Sequence, residues 1–207
     1  MKIRANSIGR SMVEMLGVLA IIGVLSAGAL KGYSNAMFKH KMNKTIEIFN
    51  GVVQKVIELE QKDLGSGFSL TDGDEAIKYG VLPECQKSGY DCKLPIGTLD
   101  FDLYYCSNKY LCGSIIAQFT SSKECVAFAS VHWENVMPVE WFNNPEYSEY
   151  GGSVWITNWS HAKTIYNPHD QTDEIIVDYD LSTITEACSV CDTNGSCGVG
   201  VTIHFLI

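Results

Sequence analysis

The sequence has no cysteine before Cys85 and no proline before Pro83, and basic residues are scarce, 15 Lys plus Arg against 24 Asp plus Glu in 207 positions. Each shortage excludes something. A formal charge of −9 leaves no basic field to attract phosphates, so nucleic acid is not an expected partner. All eight cysteines lie between Cys85 and Cys197, which divides the chain into two compositions joined end to end. G-x-S-x-G, H-E-x-x-H and phosphate-cradling glycine loops are also missing, and with them any reason to expect an enzyme or a cofactor. At 46% hydrophobic and 19% charged the composition is that of a globular protein rather than a disordered one. The length suits one domain with an extension.

The extension is at the N-terminus. Residues 1–11 carry Lys2, Arg4 and Arg10 with no acid, and Met15 to Leu30 then pass without a charge. Such a segment is directed to a membrane, and retention of its basic side in the cytoplasm sends the rest of the chain across. Both a secretory signal cleaved near Ser26 to Ala29 and a short membrane anchor fit this pattern. Glu14 suits neither, because a carboxylate costs about 2.5–3.5 kcal/mol at full membrane depth and so marks a functional position. The plain alternative is an acid that snorkels at the boundary.

Gly9, Arg10, Ser11, Met12, Val13 and Glu14, followed by Leu16, Ala20 to Leu25 and Tyr33, resemble the type IV pilin signature over roughly residues 1–35. The resemblance implies a basic leader cut after Gly9 by a prepilin peptidase and an N-methylated first residue. It also implies an apolar helix in which Glu14 meets the freed amine of a neighbouring subunit. Arg10 stands where the family usually has an apolar residue, and Lys31 where many members have a helix-kinking proline. The anchor helix is therefore expected to be straighter than in many relatives.

The helical pattern continues past Tyr33, with Met42, Ile46, Phe49, Val53 and Val56 at spacings of four and three. With Ile48, Val52, Ile57 and Leu59 they cover about half the circumference, wider than the ~100° stripe that one core requires. One apolar edge is expected to pack on a sheet and the other on neighbouring subunits, the alternative being a single broad core face. Glu58 and Lys62 are spaced for an i,i+4 pair. A helix from Ser11 to Lys62 would be on the order of 75–80 Å long, so half of it must project into membrane or filament. After it, the pattern predicts a short helix in Thr71 to Val81 stopped by Pro83, a hairpin of strands around Phe101 to Tyr105 and Ile115 to Phe119, and a helix from Glu124 to His132 capped by Ser121 or Ser122. It predicts strands at Val154 to Thr157 and Ile175 to Tyr179, a Thr183 to Glu186 capping box opening a helix, and a terminal strand from Val199 to Ile207.

Eight cysteines allow 105 pairings. Loop lengths favour Cys85 with Cys92, Cys106 with Cys112, and Cys191 with Cys197, whose loop holds the turn signal Asn194-Gly195. Segments 76–84, 124–133 and 181–189 resemble the type IVb-like pilins, and that resemblance implies a bridge from Cys125 to Cys188. Cys188 with Cys191 is the main competitor. Other chemistries can be assembled from the same region. Cys188, Cys191, Cys197 and His204 offer a zinc set with only one C-x-x-C knuckle, and Asp170, Asp173, Asp178 and Asp180, or Asp72, Asp74 and Glu75, offer calcium oxygens without a known loop spacing. His132 or His161 with a free thiol would make a nucleophile pair. An oxidising compartment disfavours the thiol-based options, and no metal is expected. Trp133 to Tyr166 holds all four tryptophans with Phe142, Tyr147, Tyr150 and Tyr166, either as a contact surface for saccharide or protein or as packing for the sheet.

The expected architecture is α+β, a long N-terminal transmembrane and amphipathic helix packed on an antiparallel, disulfide-stabilised sheet. It divides into a leader (1–9), a helix for membrane and filament core (10–62) and a globular head (63–207). The resemblance implies a structural subunit of a type IV pilus or similar extracellular filament serving adhesion, motility or DNA uptake. Its partners would be other pilin subunits, the prepilin peptidase and the pilus assembly platform. The precursor would sit in the inner membrane with its C-terminal domain in the periplasm. A type II secretion pseudopilin and a disulfide-rich binding protein exported by the Sec route are the alternatives.

Overall fold

An uninterrupted α-helix, α1, takes up the 53 residues Ile8–Glu60, a length open to it because no proline intervenes. The computed structural model describes residues 8–60, 62, 68–82, 87–88, 91–107, 110–133, 136, 154–157, 162–166 and 180–206. Two units are distinguished along the chain, Met1–Lys41 and Met42–Ile207, so the C-terminal part of α1, from Met42 on, is grouped with the strands.

In the second unit α1 is followed by β1 (Ser69–Leu70), α2 (Gly73–Lys78), β2 (Lys87–Ser88), β3 (Asp91–Lys93), β4 (Thr98–Ser107), β5 (Tyr110–Phe119) and α3 (Ser122–Ala129). Next come β6 (Val154–Thr157), β7 (Ala162–Tyr166), α4 (Leu181–Cys188), α5 (Val190–Asn194) and β8 (Cys197–Leu206). The strands form one antiparallel sheet in the order β2-β3-β4-β5-β8-β6-β7, with β1 beside β4. The last strand of the chain therefore lies inside the sheet, between β5 and β6.

Alternation decides which face is covered. Leu99, Phe101 and Leu103 of β4, Ile115, Ala117 and Phe119 of β5, Val199 of β8, and Val154 and Ile156 of β6 are buried together on one face. Onto this core α1 packs Met42, Thr45, Phe49, Val52, Val53, Val56 and Leu59. Phe49 joins an aromatic cluster centred on Phe128, its ring 5.1 Å from Phe128 and 4.7 Å from Trp133. Ile46, Ile48 and Ile57 flank the stripe and remain half-buried, so the apolar surface of the helix is wider than the head covers. The expected fold class is the one found.

Several details differ from expectation, each for a local reason. Glu58 pairs with Lys55, three residues before it at 2.7 Å, and not with Lys62. The cap of α2 is Asp72, whose carboxylate accepts from the backbone N–H groups of Asp74 and Glu75, and the chain leaves that helix at Gly80 (φ +72) before Pro83 is reached. Helix α3 takes Ser121, one of its two expected caps, but ends at Ala129 and not at His132. Helix α4 begins at Leu181 on an Asp180 cap, so the Thr183 N–H donates backward to Asp180 instead of Thr183 opening a capping box. Asn194-Gly195 does not turn a hairpin: Asn194 ends α5 and Gly195, at φ +77, is its left-handed stop. The expected strand at 175–179 lies outside the described residues. Strands β1, β2, β3 and β7 had no reading in the sequence.

Candidate functional site

Between Met12 and Ala36 every side chain of α1 is exposed in the isolated chain. The exposed set includes Met12 at 68%, Leu16 at 66%, Val24 at 75% and Leu30 at 70%. A soluble monomer does not leave a surface this apolar in water, so lipid or other protein must cover it. By length and composition α1 is able to span a membrane. Glu14 is the only carboxylate in this stretch, which otherwise holds one charge, Lys31. Its neighbours Val13 and Met15 are as exposed as the rest of the stretch. Gly9 and Arg10, the residues of the expected cleavage, fall in the first turn of α1, where the backbone alone is described.

In the head, chemistry is concentrated where α3, α4, α5 and β8 meet. Cys125 of α3 is joined to Cys188 at the end of α4, with Cα atoms 5.6 Å apart, and Cys191 of α5 is joined to Cys197 at the start of β8, with Cα atoms 4.8 Å apart. All four cysteines are fully buried. Cys92 is also disulfide-bonded, and no cysteine among the described residues is free. Cys85 lies outside the described residues. Cys106 and Cys112 are placed by backbone on β4 and β5, with nothing described of their side chains. Bridged sulfurs offer neither thiolate to a metal nor a nucleophile to a histidine, so the zinc set that counts Cys188, Cys191 and Cys197 is closed in this state. His132 is exposed at the end of the α3 segment, and His161 lies outside the described residues.

Among the described residues, Asp72, Glu75 and Asp180 of the carboxylates considered for calcium have structural partners. Asp72 and Asp180 cap helices, and hydrogen bonds to Ser182 and Thr183 hold the Asp180 carboxyl below its usual range. Glu75 accepts from the Ser69 and Thr71 hydroxyls. Hydrogen bonds from the Ser122 hydroxyl and then from its backbone N–H, the latter at 2.9 Å, hold the Asp192 carboxyl below its usual range and tie α5 to the first turn of α3. Asp170, Asp173 and Asp178 lie outside the described residues.

The other face of the sheet carries a row that runs from a carboxylate to an indole. Asp100 of β4 stands opposite Ile116 of β5, Ile116 opposite Gly200 of β8, and Gly200 opposite Trp155 of β6. A Cβ on Gly200 would come within 2.4 Å of the Trp155 indole, so the ring lies directly on the glycine backbone. Burial, then the charge of nearby Asp91, pushes the Asp100 carboxyl up, and burial does the same to Asp91. Thr98 donates to Asp91 and Gln118 to Asp100 at the 3.4–3.5 Å limit of a hydrogen bond. Of the aromatic segment, Trp133 belongs to the core, where its indole N–H donates to the Phe128 carbonyl at 3.0 Å. Trp141, Phe142, Tyr147, Tyr150 and Trp159 lie outside the described residues, and only the backbone of Tyr166 is placed, in β7. Comparison with protein-family models, with curated proteins and with solved structures finds no match to this chain.

Proposed function

We propose that the chain is a filament subunit of the type IV pilin kind, anchored in the membrane by the first half of α1 before assembly and packed through the same helix against its neighbours afterwards. The observation that carries this reading is the stretch from Met12 to Ala36, wholly exposed, apolar, and interrupted by the single carboxylate of Glu14. A membrane alone would favour no acid there. An unpaired carboxylate in a dry interface is strongly disfavoured, so a partner cation is needed, and the Arg10 amine that cleavage after Gly9 would release on the next subunit supplies one. Pairing of that kind sets register between helices. The C-terminal part of α1, packed on the head through Phe49 and its neighbours, fits a subunit whose globular domain is carried by the helix.

The test is the Glu14→Leu chain. It is expected to insert in the membrane as well as the parent or better and to yield no sheared surface filament. Sequencing of the mature N-terminus is expected to start at Arg10. A start at Ala27 or later, or filament yield unchanged by Glu14→Leu, would refute the proposal.

A further inference from the structure

The sulfurs of Cys125, Cys191 and Cys197 all lie within 4.8 Å of one another, in a pocket where the four cysteines of the two bridges are buried. The sulfur of Cys188 lies outside that set, although it is bonded to Cys125. Cys125 is thus the sulfur that the first bridge presents to the second, with Cys188 behind it. Thiol–disulfide exchange needs this arrangement: an attacking sulfur close to one atom of a disulfide and a leaving sulfur on the far side.

We propose that these two bridges are one exchange-coupled unit with Cys125 as the common acceptor, so that a thiolate released in the C-terminal pair attacks Cys125 and expels Cys188. The step conserves electrons. The lone pair of the Cys191 thiolate becomes the Cys191–Cys125 bond, the Cys125–Cys188 bond breaks, and its electron pair leaves as the Cys188 thiolate. In the native chain the first thiolate comes from an external monothiol, which opens Cys191–Cys197 and remains on Cys197 as a mixed disulfide. Cys188 then attacks Cys197, the monothiol departs unchanged, and the chain has isomerised from 125–188 with 191–197 to 125–191 with 188–197. No net oxidant or reductant is consumed. The tightly spaced sulfurs let a mispaired C-terminus be corrected in place, without unfolding the sheet.

The deciding sample is the full native chain in detergent micelles, incubated with trace glutathione at mildly alkaline pH, quenched by acid alkylation and mapped by mass spectrometry without reduction. The expected result is a Cys125–Cys191 peptide at no less than about a tenth of the Cys125–Cys188 peptide, equivalent to a difference of about 1.4 kcal/mol or less between the isomers. New pairs should be confined to Cys125, Cys188, Cys191 and Cys197. Cys197→Ser should give the same Cys125–Cys191 peptide with alkylated Cys188 and no added thiol, and Cys191→Ser should give Cys125–Cys197. Recovery of Cys125 on Cys188 alone in the native sample, or scrambling that reaches the other four cysteines equally, overturns the proposal.

Discussion

Thr45 is fully buried on α1, one turn before Phe49, and its hydroxyl meets both backbone groups of Ile96 in the turn between β3 and β4. It accepts from the Ile96 N–H at 3.1 Å and donates to the Ile96 carbonyl at 3.5 Å. The second contact is at the weak limit, so the accepted bond carries most of the effect. Thr45→Val keeps the shape and deletes the oxygen, leaving a buried N–H without that acceptor at a cost of about 1–3 kcal/mol. Thr45→Ser keeps the oxygen and removes one methyl, at about 1 kcal/mol. If the hydroxyl hooks the helix to the head, stability falls in the order parent, serine, valine. If only packing matters, the order of the two variants reverses. Urea unfolding of the full chain in detergent, followed by tryptophan fluorescence, resolves the two, since with a slope of about 1–3 kcal/mol/M a cost of 2 kcal/mol moves the midpoint by about 1 M. A valine variant as stable as the parent, beside a weakened serine variant, would refute the reasoning.

Gly200→Ala must displace the Trp155 indole, because the added carbon would lie 2.4 Å from the ring, and is expected to lower stability by about 1–3 kcal/mol with a change in tryptophan emission; unchanged emission and midpoint would count against the stacked geometry. Replacing Cys125 and Cys188 together by alanine should cost about 4 kcal/mol for a separation of 63 residues, against about 2 kcal/mol for Cys191 and Cys197 with a separation of 6, read as midpoint shifts under the same conditions. Equal or reversed shifts would contradict the chain-entropy account. A carboxyl whose folded pKa lies above its unfolded one stabilises the fold below the unfolded value and loses that contribution as pH rises through the folded value. Asp100→Asn is therefore expected to raise the melting temperature at pH 7 and to change nothing below pH 3.8, the ordinary value of the group; a gain of the same size at both pH values would show that charge is not the cause.

Long, regular signals were legible in the sequence and short tertiary ones were not. The stripe Met42, Phe49, Val53 and Val56 announced the packed half of α1 because a period of 3.6 over several turns has no other use, and β4, β5 and β8 announced themselves by alternation. Thr45 was illegible, since its role depends on a backbone turn 51 residues away. Strands of two or three residues are held by their neighbours, β1 and β3 by β4 and β2 by β3, and not by their own propensity. Asn194-Gly195 misled because a left-handed glycine ends a helix as readily as it turns a hairpin, and only the helical conformation of Val190–Asn194 decides. Capping residues were found within three positions, since Ser, Thr and Asp crowd each helix start and several can reach the same N–H groups. Glu14 was conspicuous through cost alone: a charge in an apolar run needs a reason that neither periodicity nor packing supplies.

The order in which the sheet closes gives the bridges a further consequence. Strand β8 is the last in sequence yet pairs with β5 on one side and β6 on the other, so two strand edges stay unpaired until the end of the chain arrives. The first contact of β8 with β5, Phe119 opposite Cys197, spans 78 residues along the chain. Through the Cys125–Cys188 bridge the same ends are 15 residues apart, six from Phe119 to Cys125 and nine from Cys188 to Cys197. Loop-closure entropy grows with the logarithm of length, so a bridge made beforehand lowers the cost of bringing β8 home by about 1.5 kcal/mol. A Cys125 bridged to neither Cys188 nor Cys191 would forfeit that advantage at the step where exposed edges are most hazardous. The position of Cys125 within reach of both Cys191 and Cys197 places the proposed exchange at the entry to β8, where the last strand joins the sheet.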